Sequence, residues 1–229
     1  MAPKKRTATV KWDKPEKTEM EFDAATKALL DRHGGALLAL AAGSIRHGLD
    51  NGKPLPAGIE EYAAELAEPG ASFVTLKRSG KLRGCIGTSE AHRPLVADVS
   101  ENGFRAAFKD PRFPALKPDE VDGISLSLSL LSPKAPMTFS GEEDFMGALR
   151  PNVDGLVIED NKRRALFLPS VWSQLPEPKT FVEHLKVKAK LSKDHWSGTF
   201  KAWRFTAEEI SDSDLDEPSS IWNRAARGN

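Results

Sequence analysis

The chain has one cysteine, Cys85, so no internal disulfide can hold it together. It has no apolar run of the roughly 18 residues that a membrane-spanning helix needs, and no apolar signal stretch at its N-terminus. Net charge is missing too. Lysine plus arginine and aspartate plus glutamate stand at 33 each, so no global charge draws the molecule to nucleic acid or to an anionic membrane. The five histidines, His33, His47, His92, His184 and His195, show no paired spacing, and no second thiol joins Cys85; the residues therefore point to no metal site and no cofactor. These absences set the expectation of a cytoplasmic protein in a reducing compartment, with neither membrane nor nucleic acid as a partner. At 229 residues the chain can bury most of its apolar surface, as one large domain or two small ones sharing a core.

What is present is concentrated between Phe73 and Ser89. Two apolar runs, Phe73 to Leu76 and Leu82 to Ile86, flank Lys77-Arg78-Ser79-Gly80-Lys81, which reads as a β-hairpin. Side chains alternate along a strand, so Arg83 and Cys85 are expected on one face, with Leu82 and Ile86 on the other and Gly84 between them. A guanidinium on the face of a thiol favours the thiolate, the form that reacts. Gly84 and Gly87 bracket the cysteine, and residues without Cβ let a ligand or another backbone approach.

Before the hairpin, residues 1–20 read as a mobile basic tail, carrying Lys4, Lys5, Arg6, Lys11, Lys14 and Lys17 with little that is apolar. Asp23 can cap a helix from Ala24, which Gly34-Gly35 is expected to break or bend. After the hairpin, a helix is expected from about Leu95 to Phe108, with Gly103 marking close approach of a neighbouring backbone. Asp110-Pro111-Arg112-Phe113-Pro114 stops it; Asp110 and Arg112 either bind a ligand together or tie the turn down. Ile124 to Leu131 alternates apolar residues with Ser125, Ser127 and Ser129, a strand with one face in the core and no Gly-x-Ser-x-Gly elbow around any serine. A second hairpin is read over Leu156 to Glu159 and Arg164 to Leu168. A helix from about Lys179 to Leu191 places Phe181, Leu185 and Lys188 on one face with His184 beside them, which makes His184 the candidate general base. Thr199 to Phe205 is the last expected strand. Beyond it runs an acidic tail with Trp222 near its end, docking on its own body or on another subunit.

Phe73-Val74-Thr75-Leu76 followed by Leu82-Arg83-Gly84-Cys85-Ile86-Gly87-Thr88 resembles the signature of the AMMECR family, called AmmeMemoRadiSam system protein A in prokaryotes. Asn102 to Phe113, Ile124 to Pro133, Gly155 to Ile158 with Leu168-Pro169, and Phe181 to Leu191 followed by Trp196 resemble its later blocks in order, so the likeness spans roughly Ala24 to Ile210. Lys188-Ala189-Lys190-Leu191-Ser192 departs from the family's Lys-Ala-Gly-Leu-Pro, and Gly103 stands where alanine is usual. The resemblance implies an α+β fold, a mainly antiparallel sheet with helices packed around it, in a larger and a smaller lobe with a cleft between them. The domain would run over residues 21–210, as two intertwined lobes, with residues 211–229 as the acidic tail. It also implies MEMO-type and radical SAM partners, to which any iron or radical chemistry would belong. No established reaction comes with it.

Two readings of function follow. As an enzyme, Cys85 is a nucleophile with His184 as its base, Arg83 is an activator or anion clamp, and Gly84, Gly87, Thr88, Asp110 and Arg112 complete a ligand site for a small or macromolecular substrate. As a non-catalytic binding or scaffold protein, Cys85 is a small buried residue and Arg83 pairs with a core acid such as Asp110.

Overall fold

Helix α1 (Pro15–Asn51) runs unbroken for 37 residues in the computed structural model, which describes residues 15–223. The expected break at Gly34-Gly35 does not occur, because these glycines serve packing: a Cβ at Gly34 would lie 2.5 Å from the Ile210 side chain. Tertiary contact here overrides helix propensity. Asp23 is therefore inside the helix rather than at its cap, and its carboxylate accepts the Thr206 hydroxyl at 2.6 Å. Of the expected basic tail, residues 15–20 belong to α1, and residues 1–14 lie outside the described residues.

A short α2 (Ala64–Ala67) leads into the hairpin of β1 (Ser72–Arg78) and β2 (Lys81–Gly87). Its turn places Ser79 and Gly80 at φ 51° and 75°, the mirror-image turn whose twist suits a two-residue hairpin. α3 (Leu95–Phe108) and β3 (Ile124–Leu131) have the bounds that their patterns give. The chain then makes β4 (Ala135–Pro136), α4 (Glu142–Gly147), β5 (Gly155–Asp160), β6 (Arg163–Phe167), α5 (Pro178–Lys188) and β7 (Lys201–Phe205). It returns through β8 (Ala207–Ser211) and α6 (Ser220–Asn223). Glu208 and Glu209, read as tail, are part of β8.

Two antiparallel sheets result, ordered β2-β1-β3-β8 and β4-β7-β5-β6. The first, with α1, α3 and α6, is the larger lobe of an α+β fold; the second, with α4 and α5, is the smaller lobe, inserted between β3 and β8. The chain crosses between lobes twice, and the crossings are bonded to each other: Ser132 N–H donates to Thr206 O at 3.0 Å, and Thr206 N–H to Ser132 Oγ at 2.9 Å.

Val74, Leu76, Leu126, Leu128 and Leu130 turn one face of the large sheet into a core shared with Leu37, Leu38 and Ala41 of α1 and Val96 and Val99 of α3. Gly103 lets the two helices touch, since a Cβ there would meet Ala41 O at 3.0 Å. Ile221 and Trp222 join this core, so the acidic segment docks on its own body. In the smaller lobe Phe145, Leu156, Ile158 and Leu185 surround Trp172, whose ring stacks on Phe181 at 3.8 Å. Lys186, not Lys188, is the buried lysine of α5; its ammonium reaches Glu142 Oε1 at 2.7 Å.

The first hairpin is irregular at one point. Leu76 faces Gly84 and Lys77 faces Leu82, leaving Arg83 as the extra residue of a β-bulge. The alternation expected to align Arg83 with Cys85 is broken there. Arg83, with its side chain 11% exposed, instead makes a bidentate pair with Glu120, Nε to Oε1 and Nη2 to Oε2 both at 3.0 Å. Arg78 joins the same carboxylate at 3.2 Å. The Arg83 hydrogen bonds hold Glu120 down to about 2 against the opposing effect of burial.

Two outcomes are expected. Gly84 backs onto α3 so closely that a Cβ would lie 2.1 Å from Ala106 O, so Gly84→Ala should lower stability by about 1–3 kcal/mol; an unchanged thermal midpoint would show that β2 is not pressed on the helix. Arg83→Ala should destabilise by about 3 kcal/mol at neutral pH, through the carboxylate left behind. Glu120 has a folded value below its ordinary 4.5, so this contribution is present above that value and lost as pH falls toward 2. The gap between wild type and Arg83→Ala in thermal melts should therefore close across that window, and a gap independent of pH would refute the ion-pair account.

Candidate functional site

α3 ends at Phe108 because Asp110-Pro111 cannot continue it. The turn that follows is built on the Asp110 carboxylate, which accepts the Arg112 N–H at 3.1 Å in a side-chain turn and the Arg112 guanidinium through Nε at 2.9 Å and Nη2 at 2.7 Å. The same carboxylate accepts the Cys85 N–H at 2.9 Å, and Arg112 Nη2 donates back to the Cys85 carbonyl at 3.2 Å. An ion pair thus occupies the outer rim of β2, giving Cys85 the donor and acceptor that another strand would supply. The Arg112 hydrogen bonds, aided by the Cys85 amide, hold Asp110 far below the usual carboxylate range despite its burial. Asp110 in turn raises Arg112, with a smaller contribution from the Cys85 sulfur.

Cys85 is a free, half-buried thiol. Thr75 stands opposite it on β1 and donates its hydroxyl to Sγ at 3.3 Å. The guanidinium beside the sulfur is that of Arg112, which is 54% exposed, and not that of Arg83, which is committed to Glu120. Gly84 serves the contact with α3. Gly87 makes room for the Phe73 ring, whose nearest carbon would lie 2.2 Å from a Cβ there.

Thr88 belongs to a separate buried network. Its N–H donates to Ser72 O at 2.9 Å, and its hydroxyl accepts Asn102 Nδ2 at 3.2 Å and Arg93 Nη2 at 3.3 Å. Asp98, fully enclosed, accepts Ser72 N–H and Oγ, Asn102 Nδ2 and Arg93 Nε at 2.7–2.9 Å. Sequence reasoning missed the pair of Asp98 and Asn102, whose signal is two polar residues one turn apart on the apolar stripe of Leu95 and Val99. His184 is exposed on α5 in the other lobe and shares no hydrogen bond with Cys85, Asp110 or Arg112.

Between the lobes lies a cleft of about 590 Å³. Phe73, Ser89 and Glu90 line its large-lobe wall; Arg164 to Leu168, Val171 and Lys188 line the other. Phe73 and Thr75 share a face of β1, so the cleft opens along the side of the sheet that carries the Cys85 sulfur. Glu90 Oε1 ties the walls together, binding Lys134 at 2.6 Å and Arg164 at 3.1 Å.

A second polar cluster lies in the smaller lobe. Asp160 accepts Thr199 Oγ1 at 2.6 Å, His195 Nε2 at 2.5 Å and Ser197 Oγ at 2.9 Å, bonds that hold it down to about 2. Ser197 bonds the carboxylate and not the imidazole, so these three residue types do not form a nucleophile relay. Among the described residues no group of histidine, cysteine and acidic side chains is arranged to hold a metal ion, and no helix is long and apolar enough to cross a membrane.

The family model described as AMMECR1 matches residues 38–210. A protein of Methanothermobacter thermautotrophicus is 37% identical over 138 residues, 59% of this chain and 72% of its own length. Protein MK0488 of Methanopyrus kandleri is 32% identical over 196 residues, 81% of this chain and 91% of its own length. The crystal structure of the uncharacterized protein PH0010 from Pyrococcus horikoshii has a TM-score of 0.67 and 31% identity, covering 80% of this chain and 91% of that one. The LRGCIGT strand, the two-sheet fold and the extent of these matches lead to one assignment: the chain belongs to the AMMECR1 family.

Proposed function

We propose that this AMMECR1-family protein uses Cys85 as a reactive thiol beside its interlobe cleft, on a substrate supplied by a modification pathway that includes MEMO-type and radical SAM proteins. The partners rest on the family resemblance alone. The thiol rests on one observation: the half-buried sulfur is oriented by a hydroxyl donor from Thr75 and has the half-exposed Arg112 guanidinium at its side, a cation placed to hold an anionic group of a substrate next to the sulfur. In this reading Arg112 takes the role first given to Arg83, Asp110 holds Arg112 in place, and Gly84, Gly87 and Thr88 shape the strand without touching a ligand. His184 has no part in activating the thiol.

A second reading draws on a different observation. Both main-chain groups of Cys85 are taken by the Asp110–Arg112 pair, which makes the segment a rigid wall suited to binding without any bond to sulfur.

Alkylation of the native protein with iodoacetamide and with iodoacetate at neutral pH separates the two. The reactive-thiol reading expects Cys85 to be modified faster than free N-acetylcysteine, and Arg112→Gln to slow iodoacetate, whose carboxylate the guanidinium can hold, more than it slows neutral iodoacetamide. Slower modification than the free thiol, unchanged in Arg112→Gln, would leave the binding reading in its place.

A further inference from the structure

A strand at the rim of a sheet leaves the main-chain groups of every second residue unpaired. In the smaller sheet β6 is such a strand. Its turn, Asn161-Lys162 at φ 48° and 65°, closes on the pair Asp160 and Arg163, which fixes the ladder hydrogen bonds at Arg163, Ala165 and Phe167. The N–H and C=O of Arg164 and Leu166 therefore point away from β5. Lys188 marks that direction, because its Nζ donates to Leu166 O at 2.8 Å. No other hydrogen bond is made to these main-chain groups among the described residues.

This open rim is one wall of the 590 Å³ cleft. The facing wall, Phe73, Ser89 and Glu90, offers an aromatic ring and a carboxylate already neutralised by Lys134 and Arg164. The rim itself is basic through Arg163 and Lys188, which donate to main-chain carbonyls and have no carboxylate partner among the described residues, while Arg164 is paired with Glu159 and Glu90.

We infer that the cleft receives an extended acidic peptide segment, which adds to β6 as a fifth strand of the smaller sheet. A peptide N–H replaces the Lys188 ammonium on Leu166 O, and the released ammonium pairs with a peptide carboxylate. Alternate peptide side chains turn toward Phe73 and Phe167 and supply selectivity. A second copy of the chain fits the rim poorly, because pairing β6 with β6 brings two rims that each carry the cations Arg163 and Lys188 together with no added acid between them. The inference takes the cleft of the proposed function as its place and does not need the thiol to react.

The probe is an acetylated, amidated peptide of three Val-Glu repeats carrying a fluorophore, followed by anisotropy against the whole protein. Binding is expected, with a lysine-for-glutamate version at least about tenfold weaker. N-methylation of the valines alone or of the glutamates alone should give unequal results: one set loses about tenfold or more and the other little, because only alternate N–H groups face β6. Leu166→Pro should abolish binding without unfolding the sheet, as its N–H is outside the ladder; if that variant does not fold, the methylated peptides on the native protein decide. No binding at millimolar peptide, equal loss from both methylations, or a dimer held through β6 in sedimentation would overturn the inference. The alkylation test reads the Cys85 sulfur and the methylated peptides read the β6 main chain, so a failed alkylation test and a failed peptide test are separate results.

Discussion

Two residues carry the geometry of the whole molecule. Ser132 and Thr206 sit where the chain leaves the large lobe and where it comes back, and each bonds the other's main chain in a buried setting. Thr206 is also held by Asp23 from α1. A bonded pair of crossings, anchored to the longest helix, holds together the two points where the chain passes between the sheets. Buried polar groups of this kind are obliged to find partners, and here the partners lie on the other crossing. Among the described residues the Glu90 cluster also ties the cleft walls, and it is exposed enough to be weak.

At the site, competition for arginines decides which charge meets the thiol. Two carboxylates, Asp110 and Glu120, each take a guanidinium through two parallel bonds, and both are held well below the ordinary carboxylate range by doing so. Glu120 is enclosed and captures Arg83. Asp110 is deeper still, but its partner Arg112 is half outside and keeps a free side toward solvent. Of these two guanidiniums, the one that keeps a solvent-facing side is therefore the one anchored by the more deeply buried acid.

Legibility in the sequence followed the range of the interactions. α3 and β3 were read to the residue because their signals are local: Pro94 and the apolar stripe in one, strict alternation of leucine and serine in the other. Both hairpin turns were readable for the same reason. The bulge at Arg83 was not, since it depends on a glutamate 37 positions later, and with it went the shared face of Arg83 and Cys85. The unbroken α1 could not be seen either, because Ile210 fills the space at Gly34 from the far end of the chain. Cys85, Asp110 and Arg112 were singled out individually; that they form one cluster is a fact of the α3 packing, which no spacing along the chain encodes.

The Asp110–Arg112 pair has one more consequence. A long rim strand such as β2, with an exposed Leu82 at one end, is a ready template for aggregation. By occupying the middle of that rim with opposite charges drawn from a neighbouring loop, the protein takes up the main-chain groups that edge-to-edge pairing of strands would need. The pair that satisfies the main-chain groups of Cys85 thus also closes this rim to a further strand.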